Sequence, residues 1–102
     1  MRKIIIAAAA TALMGTFGTA TAGDAAAGQA KFAVCAGCHG PTGAGNEALK
    51  YPKLSGLEAA YVAAQLKAFK SGARDNATMK AMTAGLNDAD MENLGAYVAT
   101  LK

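Results

Sequence analysis

The chain has no tryptophan, a single histidine, and only two cysteines and two prolines; aromatic residues make up 6% of it and charged residues 17%. Each scarcity removes a class of protein. Two cysteines allow one disulfide at most, so no cystine framework can hold the fold. Two cysteines and one histidine also fall short of the four ligands of a structural zinc site. No basic run is interleaved with aromatics, and a nucleic-acid partner is therefore not expected. No stretch alternates Val, Ile and Thr with polar residues, so no strand is predicted and the chain reads as all-α. Isoleucine occurs only at Ile4, Ile5 and Ile6.

Those isoleucines belong to a leader. "MRKIIIAAAATALMGTFGTATAG" opens with Arg2 and Lys3, continues with an apolar run from Ile4 to about Met14, and closes on Ala20-Thr21-Ala22. A positive start, a short apolar body and an A-x-A ending are the parts of a secretory signal peptide. Residues 1–22 are predicted to be such a peptide, cleaved after Ala22. The rival reading is a membrane anchor, but Gly15, Gly18 and the threonines dilute the second half of the stretch, and a spanning helix needs about 20 mostly apolar residues. Stable membrane insertion is not expected once the leader is gone.

Residues 23–102 then form one domain. The formal charge of +3 includes Arg2 and Lys3; without them eight basic residues face seven acidic ones. The remaining aromatics are Phe32, Tyr51, Tyr61, Phe69 and Tyr97, and much of the other apolar content is alanine, which buries little area. A domain this small and this poor in large side chains needs something else in its middle: a disulfide, a metal or an equivalent.

Helical signals cover most of it. A first helix is predicted from about Asp24 to Ala36, capped by Asp24, with Gly28 and Phe32 on one face. The loop "GPTGAGNEALKYPKLSG" follows, with a short helical turn near Asn46 to Lys50. A second helix is predicted from Leu57 to about Lys70, stopped by Gly72. Val62, Leu66 and Phe69 form one stripe on it; Leu57, Tyr61, Ala64 and Ala68 form another, which suggests burial on two sides. "GARDNATMKAMTAGL" reads as a second loop, carrying Met79 and Met82. A terminal helix begins at Asn87 and runs to the end near Lys102, with Met91, Leu94, Tyr97, Val98 and Leu101 as its buried stripe.

Both cysteines and the only histidine sit together in "FAVCAGCHG". C-x-x-C-H is the attachment signature of c-type haem. Two cysteines three apart at a helix end can reach two neighbouring vinyl groups of one porphyrin, and the next residue then points at the iron. Cys35 and Cys38 would become thioethers and His39 the proximal ligand. A redox dithiol also uses C-x-x-C but expects a βαβ setting, for which there are no strands. A Cys35–Cys38 disulfide closes too small a loop to stabilise much. One covalently bound haem c also supplies the missing middle.

The chain from Gly23 to Lys102 resembles a small class I c-type cytochrome, similar to a single domain of the diheme bacterial cytochromes c. The resemblance rests on "GDAAAGQAKFAVCAGCHG", "YPKLSGL", "YVAAQLKAFKSGARDNATMKAMTAGL" and "NDADMENLGAYVA", in that order. It implies an all-α fold with three main helices and short turns wrapped around the haem. It implies a methionine as sixth ligand from the segment before the last helix, where Met79 and Met82 both stand; the first of an M-x-x-M pair, Met79, is the one implied. In "PKLSGL" it implies that the Pro52 carbonyl accepts from the His39 ring and that Leu54 lies against the porphyrin. Gly28 and Phe32 with Leu94 and Tyr97 resemble the crossing of terminal helices in this family, and Gly95 is expected to allow close approach there. Arg74 reads either as a partner for a haem propionate or as a solvated loop arginine. Lys31, Lys50, Lys53, Lys70 and Lys80 read as a solvated surface in preference to a ring at the haem edge that steers an acidic partner.

Ligation on both faces leaves no open position for substrate, so an enzyme is not expected. The function implied is a monomeric, periplasmic one-electron carrier working between other redox proteins. The alternative is a haem-based sensor or ligand-binding module with a labile methionine; a peroxidase-like enzyme would need a vacant position and polar distal groups.

Overall fold

Asp24 opens the first helix by accepting hydrogen bonds from the backbone N–H of Ala26 and Ala27, at 2.9 and 3.3 Å. Two otherwise unpaired amides are satisfied there. The computed structural model describes residues 23–102, and the expected signal peptide lies outside the described residues. Helix α1 spans Ala25–His39. It runs past its predicted end at Ala36, so Cys35, Cys38 and His39 all share its last turns. Gly40 stops it at a φ of 89°, with its N–H bonded to the Ala36 carbonyl at 2.9 Å.

A 3-10 turn spans Glu47–Leu49, within the predicted Asn46 to Lys50 segment. Helix α2 spans Ala59–Ser71, α3 spans Ala77–Thr83 and α4 spans Asp88–Val98. Among the described residues the architecture is thus helical, with three longer helices and one short one. Helix α4 is held at its start by a capping box, in which Asn87 accepts from the Asp90 N–H and Asp90 accepts from the Asn87 N–H. It ends at Val98, short of the predicted Lys102. The last residues turn back instead, and the Leu101 carbonyl accepts from Gly56 N–H at 3.0 Å.

Helix α4 is the hub. Both α1 and α2 pack on it, while among the described residues the backbones of α1 and α2 make no close approach to one another. The α1–α4 crossing depends on Gly28: a Cβ there would stand 2.0 Å from the Asn93 carbonyl oxygen. Phe32 and Tyr97 meet beside it with ring centroids 5.1 Å apart. Gly95 does not serve this crossing, as the sequence suggested. It faces the start of α2, where a Cβ would lie 2.5 Å from the Ala59 carbonyl oxygen.

The core cluster is Phe32, Val62, Leu66, Met91, Leu94 and Val98. It takes Val62 and Leu66 from the first predicted stripe, whose Phe69 is also buried; of the second stripe Leu57 packs against the cluster and Ala68 is half-buried, whereas Tyr61 is 51% exposed and Ala64 is also exposed. Among the described residues only eight hydrophobic ones are buried, a small set for a stable domain. No helix of the described residues is long and apolar enough to cross a membrane.

Candidate functional site

The gap between α1 and α2 is a cavity of about 840 Å³. Cys35, Cys38 and His39 line it from the end of α1, Pro52 and Leu54 from the loop, Leu66 and Phe69 from α2, and Met79 and Met82 from α3. The candidate residues, spread from Cys35 to Met82 along the chain, therefore face one space.

The loop after α1 brings Pro52 back under His39. Gly45 N–H donates to the His39 carbonyl at 2.8 Å, and Asn46 and Tyr51 exchange backbone hydrogen bonds at 2.7 and 2.9 Å. Gly45 makes the fold-back feasible. It has a φ of 74°, and a Cβ there would lie 2.6 Å from the Tyr51 carbonyl oxygen. Leu54 N–H then bonds to the Gly43 carbonyl at 2.7 Å. The outcome is a hydrogen bond from His39 Nδ1 to the Pro52 carbonyl, 2.9 Å long. A carbonyl only accepts, so Nδ1 carries a proton, and in the neutral ring Nε2 keeps a lone pair. His39 is 7% exposed; its ring is fixed in both orientation and tautomer.

Met79 and Met82 do not lie in an extended loop. Both are on α3, where Asn76 caps the helix by accepting from Met79 N–H at 2.9 Å. Thr83, 1% exposed, donates its hydroxyl to the Met79 carbonyl at 2.8 Å. The peptide of Met79 is thus held on both sides. Met79 packs against the core cluster, whereas Met82 is 41% exposed. Sequence reasoning missed this helix. The signal was present: an N-capping asparagine before Ala, Met and Lys, all good helix formers. It was hidden by the glycines at either end, Gly72 and Gly85.

Burial pushes the Cys35 thiol up from its ordinary range, partly offset by a backbone hydrogen bond, with Cys38 adding to the rise. The Tyr51 hydroxyl is also raised, chiefly through a hydrogen bond with Cys38 and then its charge. Both effects belong to free thiols and vanish once the sulfurs are alkylated. Among the described residues no cluster of three His, Cys, Asp or Glu side chains could hold a bare metal ion. The donor set instead suits a metal that arrives with most of its ligands already supplied.

Comparison with known proteins decides the matter. The cytochrome c family model matches residues 25–102. The chain belongs to the cytochrome c family. It is 39% identical over 102 residues to the thiosulfate dehydrogenase electron acceptor of Thiomonas intermedia, a match that covers all of this chain and 45% of that protein. It is 44% identical over 95 residues to cytochrome c-554(547) of Halothiobacillus neapolitanus, covering 79% of this chain and the whole of that one. The fold matches the crystal structure of reduced recombinant cytochrome c4 from Pseudomonas stutzeri with a TM-score of 0.73 and 34% identity, over 79% of this chain and 52% of that one. The chain thus spans about half the length of some of the relatives it matches.

A cytochrome c domain carries covalently attached haem c, and Cys35 and Cys38 fit the attachment motif. The structure accommodates the group. Its cavity falls within the usual range for cofactor pockets, roughly 300–1,000 Å³, and its walls are mostly aliphatic and aromatic.

Proposed function

We propose that this domain is a one-electron carrier in which His39 and Met79 are the axial ligands and the leader directs it to the periplasm. The observation that carries this reading is the state of His39: Nδ1 is committed to Pro52, and the free Nε2 belongs to a buried ring lining the same cavity as Cys35, Cys38 and Met79.

The haem supplies a single-electron couple between ferric and ferrous iron. The protein supplies everything that makes this couple usable. Cys35 and Cys38 tether the group to the end of a helix. Pro52, through its carbonyl, raises the basicity of His39 and stops the ring from turning. Asn76 and Thr83 hold the backbone of Met79, and thioether ligation opposite histidine raises the potential. Met79 is favoured over Met82 because it is half-buried and packed on the core. Leu54 and the α2 side chains keep water from the faces of the group. With both axial positions filled from the chain, no site remains for a substrate to bind the iron, and the domain acts with redox proteins as donor and acceptor. A relative named as an electron acceptor supports that role.

The test is the visible spectrum of the mature protein in both oxidation states. A weak long-wavelength band of sulfur ligation in the oxidised form is expected, with no carbon monoxide binding by the reduced form. Met79→Ala should abolish the band and admit carbon monoxide while haem stays attached. An unchanged spectrum in Met79→Ala would transfer the ligand to Met82. Ready carbon monoxide binding by the wild type would make the domain a ligand-binding module instead.

A further inference from the structure

Residues 72–86 leave α2, carry Met79 along the cavity and lead into α4. The entry to this excursion is fixed on α2. Arg74 N–H bonds to the Ala68 carbonyl at 3.1 Å, its Nη1 donates to Gln65 Oε1 at 2.6 Å, and its guanidinium carbon lies 4.5 Å from the centroid of the Phe69 ring. The exit is held by one side chain. Lys70, in the last turn of α2, donates from Nζ to the main-chain carbonyl of Leu86, the residue before the Asn87 cap of α4. Among the described residues this is the one hydrogen bond that ties residues 75–86 to another part of the chain. The others close within the segment: Met79 N–H to Asn76, the Thr83 hydroxyl to Met79 and Lys80, Leu86 N–H to Thr83. Among the described residues the backbone of α3 also approaches no helix but α2. Met79 is thus seated by a short helix on a single neighbour, with a strap at each end.

Lys70 reads from the sequence as one of several solvated lysines. A cation in the last turn of a helix suits the helix dipole wherever its ammonium points, yet this ammonium reaches across to another segment. Lys67, one turn earlier, bonds to the Glu92 carboxylate as an exposed ion pair. Among the described residues the ion pairs are Lys31–Asp90 and Lys67–Glu92, and neither involves Lys70. Its partner is a neutral carbonyl, to which a charged donor bonds more strongly than a neutral one. Fixing a long exposed side chain costs rotamer entropy, so the contact has to return something for that loss.

We infer that Lys70 is a positioning residue for the sixth ligand: by anchoring Leu86 it keeps α3 seated on α2 and slows the departure of Met79 from the iron. For Met79 to swing away, the segment must part from α2, and the Lys70–Leu86 bond must break with it. The inference rests on Met79 as the ligand, the reading proposed above.

The experiment is imidazole binding to the oxidised holoprotein, at concentrations where the rate no longer rises with imidazole and equals that of Met79 leaving. Lys70→Met keeps the apolar stem and removes the donor, Lys70→Arg keeps a charged donor, and Lys67→Met removes a charge from the same helix. Lys70 is exposed, so each variant is expected to fold. Unfolding rates in denaturant, followed by far-UV circular dichroism, are measured alongside. Lys70→Met should bind imidazole about five- to tenfold faster than the wild type, as expected for one lost hydrogen bond from a charged donor. Lys70→Arg and Lys67→Met should stay close to the wild-type rate. On heating Lys70→Met, the sulfur-ligation band should disappear before the helical signal does. An unchanged imidazole rate in Lys70→Met overturns the inference. So does an unfolding rate that rises by the same factor, which would make Lys70 a support of the whole fold, or an equal gain in Lys67→Met, which would make the effect one of charge alone. A sulfur-ligation band that survives Met79→Ala removes the ligand assignment itself and the inference with it, and that failure is seen without any Lys70 variant.

Discussion

Helix α4 borders two different kinds of interior. At the crossing, α1 meets it at Gly28 so closely that a methyl group would collide with the Asn93 backbone, and Met91 is almost wholly buried. Between α1 and α2, by contrast, the chain surrounds a space it does not fill, lined by Leu54, Leu66, Phe69 and Met79. The first interior is protein packed on protein. The second is half an interior whose other half is a haem. Substitutions at the crossing should therefore act chiefly on folding and substitutions around the cavity chiefly on the cofactor, while Phe32 and Leu94 border both.

The largest effect expected is from removing the attachment. Cys35→Ala with Cys38→Ala should leave the exported chain without haem and largely unfolded, because the eight hydrophobic residues buried among the described ones are too few to offset the entropy of ordering the chain. Circular dichroism checks this; a cooperative melt of a helical, haem-free chain would mean that the crossing is sufficient by itself. Next comes Gly28→Ala, which drives a Cβ into the Asn93 carbonyl. It should cost on the order of 3 kcal/mol in denaturant unfolding and leave the visible spectrum of the folded fraction unaltered. Met91→Ala should cost about 2–5 kcal/mol by cavity formation, again with little spectral change. Leu54→Ala should reverse the pattern, with a smaller loss of stability but a measurable change in haem absorption.

The smallest effect is electrostatic. Glu92 raises the pKa of Lys67, to which it is bonded at 2.9 Å on the surface. A group whose folded pKa is raised stabilises the fold below its ordinary value and loses that contribution as pH climbs through the folded value. Lys67→Met should therefore narrow the gap to wild type in unfolding experiments above the ordinary lysine range, and salt should weaken the effect at neutral pH.

Much of this was legible beforehand because it is written locally. Asp24 and Asn87 are strong N-caps followed by apolar residues at helical spacing, and α1 and α4 begin where those residues say. C-x-x-C-H is contiguous and needs no tertiary knowledge to be noticed. The errors came where local signals compete. Glycines flanking Ala77–Thr83 made a short helix look like loop, and Gly95, on the same helix as Leu94, turned out to serve a different neighbour. Tyr61 has helical spacing with other apolar residues yet stays half exposed, since periodicity tells which residues share a face but not whether another element covers that face.

By itself the sequence determined the helical class, the main caps, the haem-attachment motif and the shortage of large side chains that makes a cofactor structurally necessary. The Pro52 contact to His39, implied by resemblance alone, took its geometry from the tertiary structure, and only that structure decided that Asn76 and Thr83 grip Met79 and that Arg74 is stacked on Phe69 and braced by Gln65. Caps and periodicities act within a turn or two of chain. The contact across the loop, by contrast, depends on the path that Gly43 and Gly45 allow the backbone to take, and the orientation of the helices depends on how closely α4 lets its neighbours approach.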